Sequence, residues 1–131
     1  MVFDVQVSEH DGATVLALVG ELDLASAPKV RQAVVQALGT PTAGAAGRAP
    51  AGLVVDLRGV DFIDSTGLGV LIGARRRTRA ARGELRVVVA DPRMLELFRE
   101  TDLDRVFALY PTLDDAVRAS ASVPVTGGRD A

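Results

Sequence analysis

Leu53-Val54-Val55-Asp56-Leu57, bounded by Gly52 and Gly59, is a short run of branched apolar residues of the kind that forms a sheet strand covered on both faces. Helical signals follow it. Either Asp64 or Ser65 can serve as an N-cap, accepting a hydrogen bond from a free amide two or three residues on, and Gly67 lets the backbone pack closely there. A strand passing directly into a helix through small residues leaves that helix start open to solvent.

The rest of the chain supplies the layers. Phe3, Val5 and Val7 alternate with Asp4, Gln6 and Ser8, a half-buried strand, and Asp11-Gly12 turns it into a second strand from Thr14 to Val19, so the two should form a hairpin. Ser26 can cap the next element and Pro28 suits its first turn. Val30, Ala33, Val34, Ala37 and Leu38 then recur at helical spacing up to Gly39, leaving Lys29, Arg31, Gln32 and Gln36 outward. The Pro/Gly/Ala/Thr stretch at 40–52 has no large apolar side chain to offset the entropy of ordering and is expected to be a flexible loop.

After the helix that starts near Ser65, Leu85 to Ala90 reads as a strand. Asp91-Pro92 caps a helix whose apolar face is Met94, Leu95, Leu97 and Phe98. Val106 to Tyr110 is a last short strand. Thr112 and Asp115 approximate a capping box opening a helix through about Ala119, and 120–131 reads as a frayed tail. The element order implies an α/β fold: a mixed sheet with an N-terminal hairpin, about four packed helices, and right-handed crossovers between the later strands.

Composition narrows what such a domain can do. At 131 residues the chain is one domain by length, able to bury about two-thirds of its unfolded surface. Without cysteine there is neither a disulfide framework nor a thiolate metal site, and with no charged-then-apolar leader or membrane-length apolar run the expected location is the cytoplasm. A net charge of −2 argues against nucleic acid as a direct partner. The local cluster Arg75, Arg76, Arg77, Arg79, Arg82 and Arg86 falls late in the Ser65 helix, where cations complement the dipole and solvate the surface; a phosphate or lipid site is the alternative.

Enzyme chemistry finds little support. His10 is the sole histidine and sits in the turn Glu9-His10-Asp11-Gly12, so a solvated loop histidine is expected rather than a catalytic base, and no histidine-dependent triad is assigned. Asp23, Asp61 and Asp64 could gather near Ser65, but oxygens at unknown separations are weak grounds for a metal, and none is expected. Gly67-Leu68-Gly69 lacks the spacing of a phosphate-binding loop, and the sole lysine, Lys29, lies on the first helix. No catalytic residue and no cofactor is assigned.

Two motifs set the functional expectation. Gly20-Glu21-Leu22-Asp23 closes a strand ahead of a helix, and Asp64-Ser65-Thr66-Gly67-Leu68-Gly69-Val70 follows in the same order and with a helix between. Together they resemble the STAS domain family, most closely its single-domain anti-sigma-factor antagonists, from about Val5 to about Val117. One departure is the stretch from Gly39 to Gly52, longer than the family's usual link.

The resemblance implies that Ser65 is phosphorylated, with Thr66 its neighbour and with Asp23 and Asp64 the acidic residues beside it. It implies that the unphosphorylated protein binds an anti-sigma factor with serine kinase activity, freeing a sigma factor. That kinase switches the antagonist off, and a serine phosphatase restores it. On Ser65 a phosphoryl group would sit where unpaired amides and the helix dipole favour an anion, so it would change the surface a partner meets without unfolding the domain. The partner-binding residues expected are Glu21, Asp23, Asp64, Thr66, Gly67 and Leu68. Leu68 is either an exposed apolar anchor or core. The protein should touch no membrane and be monomeric when free. The alternatives are a constitutive STAS scaffold subunit of a signalling or lipid-transport assembly, in which Ser65 merely caps a helix, and a nucleotide-binding sensor.

Overall fold

The computed structural model describes residues 2–39 and 52–121. The loop expected at 40–52 lies outside them except for Gly52, as does the expected tail beyond residue 121. Five strands form one sheet in the order β1-β2-β3-β4-β5. The strands are β1 (Asp4–His10), β2 (Ala13–Leu22), β3 (Gly52–Ile63), β4 (Leu85–Val88) and β5 (Ala108–Tyr110). Among them run the helices α1 (Ala27–Leu38), α2 (Ser65–Ala80), α3 (Pro92–Glu100) and α4 (Leu113–Ala121). The hairpin is as expected: β1 pairs antiparallel with β2, and Asp11 and Gly12 take φ values of 50° and 88°, the positive pair that a tight hairpin turn needs. All other pairings are parallel.

The sheet is covered on both sides. Leu16, Leu18, Leu53, Val55 and Leu57 turn one face to α1, α2 and α3, whose Val30, Val34, Leu71, Met94 and Phe98 complete the larger core. Ala13, Val15, Val54 and Val88 turn the other face to Ala116 and Val117 of α4. This two-sided burial is why β3 opens as an unbroken apolar run rather than an alternating one. At the edge, β1 is less buried than its alternation suggests: Val5 is partly covered while Val7 is exposed. Phe98 and Phe107 meet edge to face, ring centres 5.8 Å apart, closing the α3 end of the larger core.

Several boundaries differ from the sequence expectations. β3 runs through Ile63 rather than stopping at Leu57, because its pairing with β2 continues past two irregularities, at Ala17/Val19 and at Gly20/Glu21. β4 ends at Val88, short of Ala90. β5 starts at Ala108, since Leu103–Arg105 forms a 3-10 turn entered through a left-handed Asp102. Helix α4 extends to Ala121, and Ser120 is buried with its hydroxyl on the carbonyl of Ala116 at 3.0 Å, so the expected tail does not begin at 120. Thr112 does cap α4, accepting the amide hydrogen of Asp115 at 3.0 Å, and Asp91 caps α3 through Arg93 at 2.9 Å.

Candidate functional site

The end of the sheet where β2 and β3 stop carries both sequence motifs. Asp64 lies just outside α2 in extended backbone (φ −107°, ψ −174°), and its carboxylate accepts the amide hydrogen of Gly67 at 2.9 Å. It is therefore Asp64, not Ser65, that caps the helix. The amide of Asp64 donates to the carbonyl of Leu22 at 3.3 Å and ties the helix start to the end of β2. Gly67 is buried at that junction: a Cβ there would collide with the Leu22 carbonyl oxygen and stand 3.0 Å from Ile63 Cγ2. Only glycine allows α2 to begin so close to the strand ends.

With the cap supplied by its neighbour, Ser65 is left exposed at the first helical position, and its hydroxyl makes no hydrogen bond among the described residues. The amides of Ser65 and Thr66 likewise meet no acceptor there, as the first helical amides cannot meet one within the helix. The chemistry this allows is simple: an uncommitted hydroxyl in water, with free N–H groups and the positive end of a sixteen-residue helix beneath it.

The β2–α1 turn beside it is held by its own side chains. The carboxylate of Asp23 accepts the amide hydrogens of Ala25 and Ser26 at 3.0 and 3.2 Å, and the Ser26 hydroxyl donates to the Glu21 carbonyl at 2.7 Å while accepting from the Asp23 amide at 2.9 Å. Ser26 thus does not cap α1, as its sequence position suggests; its hydroxyl closes the turn instead. Asp23 is half-buried and largely committed to the turn, whereas Glu21 is exposed opposite Phe62 on β3.

Of the expected partner-facing residues, two turn inward. Leu68 is only 9% exposed and belongs to the larger core, so the exposed-anchor reading is overturned. The chain turns it onto the core face of α2 together with Leu71, three residues on. Gly67 is buried against Leu22 and serves packing rather than contact. Glu21, Asp64, Ser65 and half-buried Thr66 remain around the open helix start.

Other candidates are dispersed. Among the described residues no three His, Asp or Glu side chains gather where they could hold a metal ion, so Asp23, Asp61 and Asp64 do not form such a cluster. His10 is exposed at the end of β1, its Nε2 3.1 Å from Ser8 Oγ. Arg76, Arg77, Arg79 and Arg82 are exposed, as a solvated face requires, whereas Arg86 on β4 reaches the Ser120 hydroxyl under α4 at 3.5 Å. No described helix is long and apolar enough to cross a membrane.

Two features escaped the sequence reading. Leu24 and Phe62 are large apolar residues exposed at this end of the sheet, where Val2, ahead of β1, is exposed as well. Phe62 had a usable signal, since it lies between the apolar run and the cap; Leu24, alone in a turn, had none. An open groove of about 360 Å³ also lies between α1 and α2, lined by Arg31, Thr66, Gly69, Gly73 and Arg77 among others.

Comparison with known proteins agrees with this arrangement. The STAS domain family model matches residues 4–116. The chain is 31% identical over 126 residues to the anti-sigma-F factor antagonist RsfB of Mycobacterium tuberculosis, covering 95% of this chain and 91% of that one. It is 31% identical over 118 residues to the anti-sigma-B factor antagonist of Bacillus subtilis, covering 90% and 100%. The crystal structure of an anti-sigma factor antagonist from Mycobacterium paratuberculosis superposes with a TM-score of 0.73 at 35% identity, covering 91% of this chain and 94% of that one. These relatives bear the names of regulators, not of enzymes. With its mixed sheet, a family model matched over residues 4–116 and relatives 31% identical over nine-tenths or more of its length, the chain belongs to the STAS domain family.

Proposed function

We propose that the protein is an anti-sigma-factor antagonist controlled by phosphorylation of Ser65. Unphosphorylated, it binds an anti-sigma factor that is also a serine kinase and so releases a sigma factor. Transfer of phosphate to Ser65 ends that binding, and a serine phosphatase restores it. The reading assigns the chain no catalysis of its own, no cofactor, no direct contact with nucleic acid or membrane, and a cytoplasmic, monomeric free state.

The observation that supports it is the division of labour at the start of α2: Asp64 caps, so the Ser65 hydroxyl is exposed and uncommitted. If Ser65 merely capped the helix, its hydroxyl would be tied to an amide. A phosphoryl group brings nearly two negative charges into a surface that already holds Glu21, Asp61 and Asp64, and any partner matched to the unmodified surface must desolvate or repel it. The names of the full-length relatives point to the same partner class.

The test is incubation of the protein with ATP and each kinase-type anti-sigma factor of its own source, with phosphate located by mass spectrometry. Phosphate at Ser65, lost in Ser65→Ala, is the expected result. Phosphate mapped chiefly to Thr66 or elsewhere, or partner affinity of Ser65→Asp equal to that of the parent, would overturn the assignment.

A further inference from the structure

Two large apolar side chains stand in water at the sheet end that carries Ser65. Leu24, in the turn between β2 and α1, is 73% exposed, and Phe62, at the end of β3, is 49% exposed. Every other exposed large apolar residue among the described residues is a valine. Phe62 pairs with Glu21 across the parallel strands, and the next residue, Leu22, receives the amide of Asp64. Leu24 is two residues beyond Leu22, and Ser65 is three beyond Phe62, so chain length alone holds each within about 7–10 Å of that junction.

The hydrogen bonds that close the elements bearing them come from other groups. The turn closes through Asp23 and Ser26, and β3 is held by its pairing with β2. Leu24 is mostly in water and Phe62 leaves about half of its surface there, and that exposure forgoes transfer free energy that full burial would give. Around the pair lie Glu21, Asp23, Asp61 and Asp64. Asp23 and Asp64 are engaged with backbone amides, while the carboxylates of Glu21 and Asp61 have no ion pair or hydrogen bond among the described residues. This end of the sheet thus carries two exposed apolar side chains among carboxylates of which Glu21 and Asp61 are uncompensated.

Resting on the antagonist reading above, we infer that Leu24 and Phe62 are the anchors by which this protein docks its anti-sigma factor, and that the face they meet is an apolar depression rimmed with lysine or arginine. Apolar centres ringed by charge concentrate binding energy in the centre and leave orientation and association rate to the rim. The same charge argues against a second copy of this chain as occupant, because a two-fold contact would bring Glu21 and Asp61 against their own kind.

Calorimetric titration of the full chain into the kinase-type anti-sigma factor, at low and high salt, tests this. Leu24→Ala, unfolding near the parent temperature, and Phe62→Ala should each weaken binding by about tenfold or more, and Phe62→Leu, which keeps an apolar side chain on β3, should keep most of the affinity. Glu21→Lys with Asp61→Lys should weaken binding and flatten its salt dependence. Phosphorylation of the anchor variants should show a raised KM with kcat retained. Parent-like affinity of both alanine variants, beside lost binding of Ser65→Asp, would overturn the anchors and leave the phosphorylation switch standing. A parent that binds no anti-sigma factor would remove the antagonist reading and the anchors with it. Self-association of the parent abolished by Phe62→Ala would assign the patch to a second copy instead.

Discussion

The carboxylate of Asp64 accepts the amide hydrogen of Gly67 at 2.9 Å. That one bond decides the chemistry of Ser65, which lies between the two, because it supplies the side-chain cap from Asp64 and leaves the serine hydroxyl with no structural duty.

Removing the cap should therefore cost more than removing the serine. Asp64→Ala is expected to lower stability by about 1 kcal/mol, within the span of measured N-cap losses. Ser65→Ala, which deletes an exposed and unbonded hydroxyl, should stay within about 0.5 kcal/mol of the parent. Urea unfolding of the two variants side by side gives the comparison, and an equal loss in both would show that Ser65 shares the cap.

Three glycines in α2 should respond in opposite directions to the same change. At Gly67 a methyl group meets the Leu22 carbonyl, which is backbone and cannot step aside, so Gly67→Ala should destabilise by about 1–3 kcal/mol. At Gly69 and Gly73 an added Cβ meets nothing within 4 Å. Each Gly→Ala there should stabilise by about 0.5–1 kcal/mol through helix propensity alone. Thermal unfolding of the three single variants checks the sign at each position.

The sequence disclosed the layers more fully than their edges. The branched run of β3 ends at Leu57, and the pairing beyond it, with its two irregularities, depends on where β2 lies, which no local pattern records. Ser26 shows the same limit on a smaller scale. Its position before Ala27 and Pro28 signals a cap, but the Glu21 carbonyl, brought close by the fold, takes its hydroxyl. Leu68 was ambiguous because one residue on a helix has no face until its neighbours are placed; Leu71 and Ile63 in the core settle it. Asp64 and Ser65 were both legible as cap candidates, and only the geometry separates the one that bonds from the one left free.

A buried carboxylate on β3 and its arginine offer a separate test. Asp56, whose side chain is 7% exposed, receives the Arg58 guanidinium at 2.8 Å and the Arg58 amide at 3.0 Å. Arg58→Ala would leave the carboxylate short of its charged partner in the sheet, at an expected cost of about 1–3 kcal/mol. Hydrogen bonding to Asp56 raises the guanidinium pKa. The arginine's contribution is then complete at every pH below its ordinary value and fades only as pH climbs past it. The deficit of Arg58→Ala should thus be constant between about pH 7 and 9, measured by denaturant titration; a deficit that shrinks over that range would contradict the pairing.

Phosphorylation of Ser65 should alter the surface and spare the fold. The free amides of Ser65 and Thr66 and the dipole of α2 favour an anion at that place, whereas Asp61 and Asp64 nearby oppose it, so the local effects largely offset each other. Nothing buried needs to move to admit the group, since the hydroxyl is exposed and has no partner within the described chain. Amide exchange on phosphorylated and unphosphorylated protein should therefore differ only around Asp61 to Leu68, with the covered strand from Leu53 to Leu57 protected alike in both forms. Broad loss of protection in that strand on phosphorylation would replace the surface switch with a conformational one, because the strand lies under α2 and α4 and can exchange faster only if the layers part.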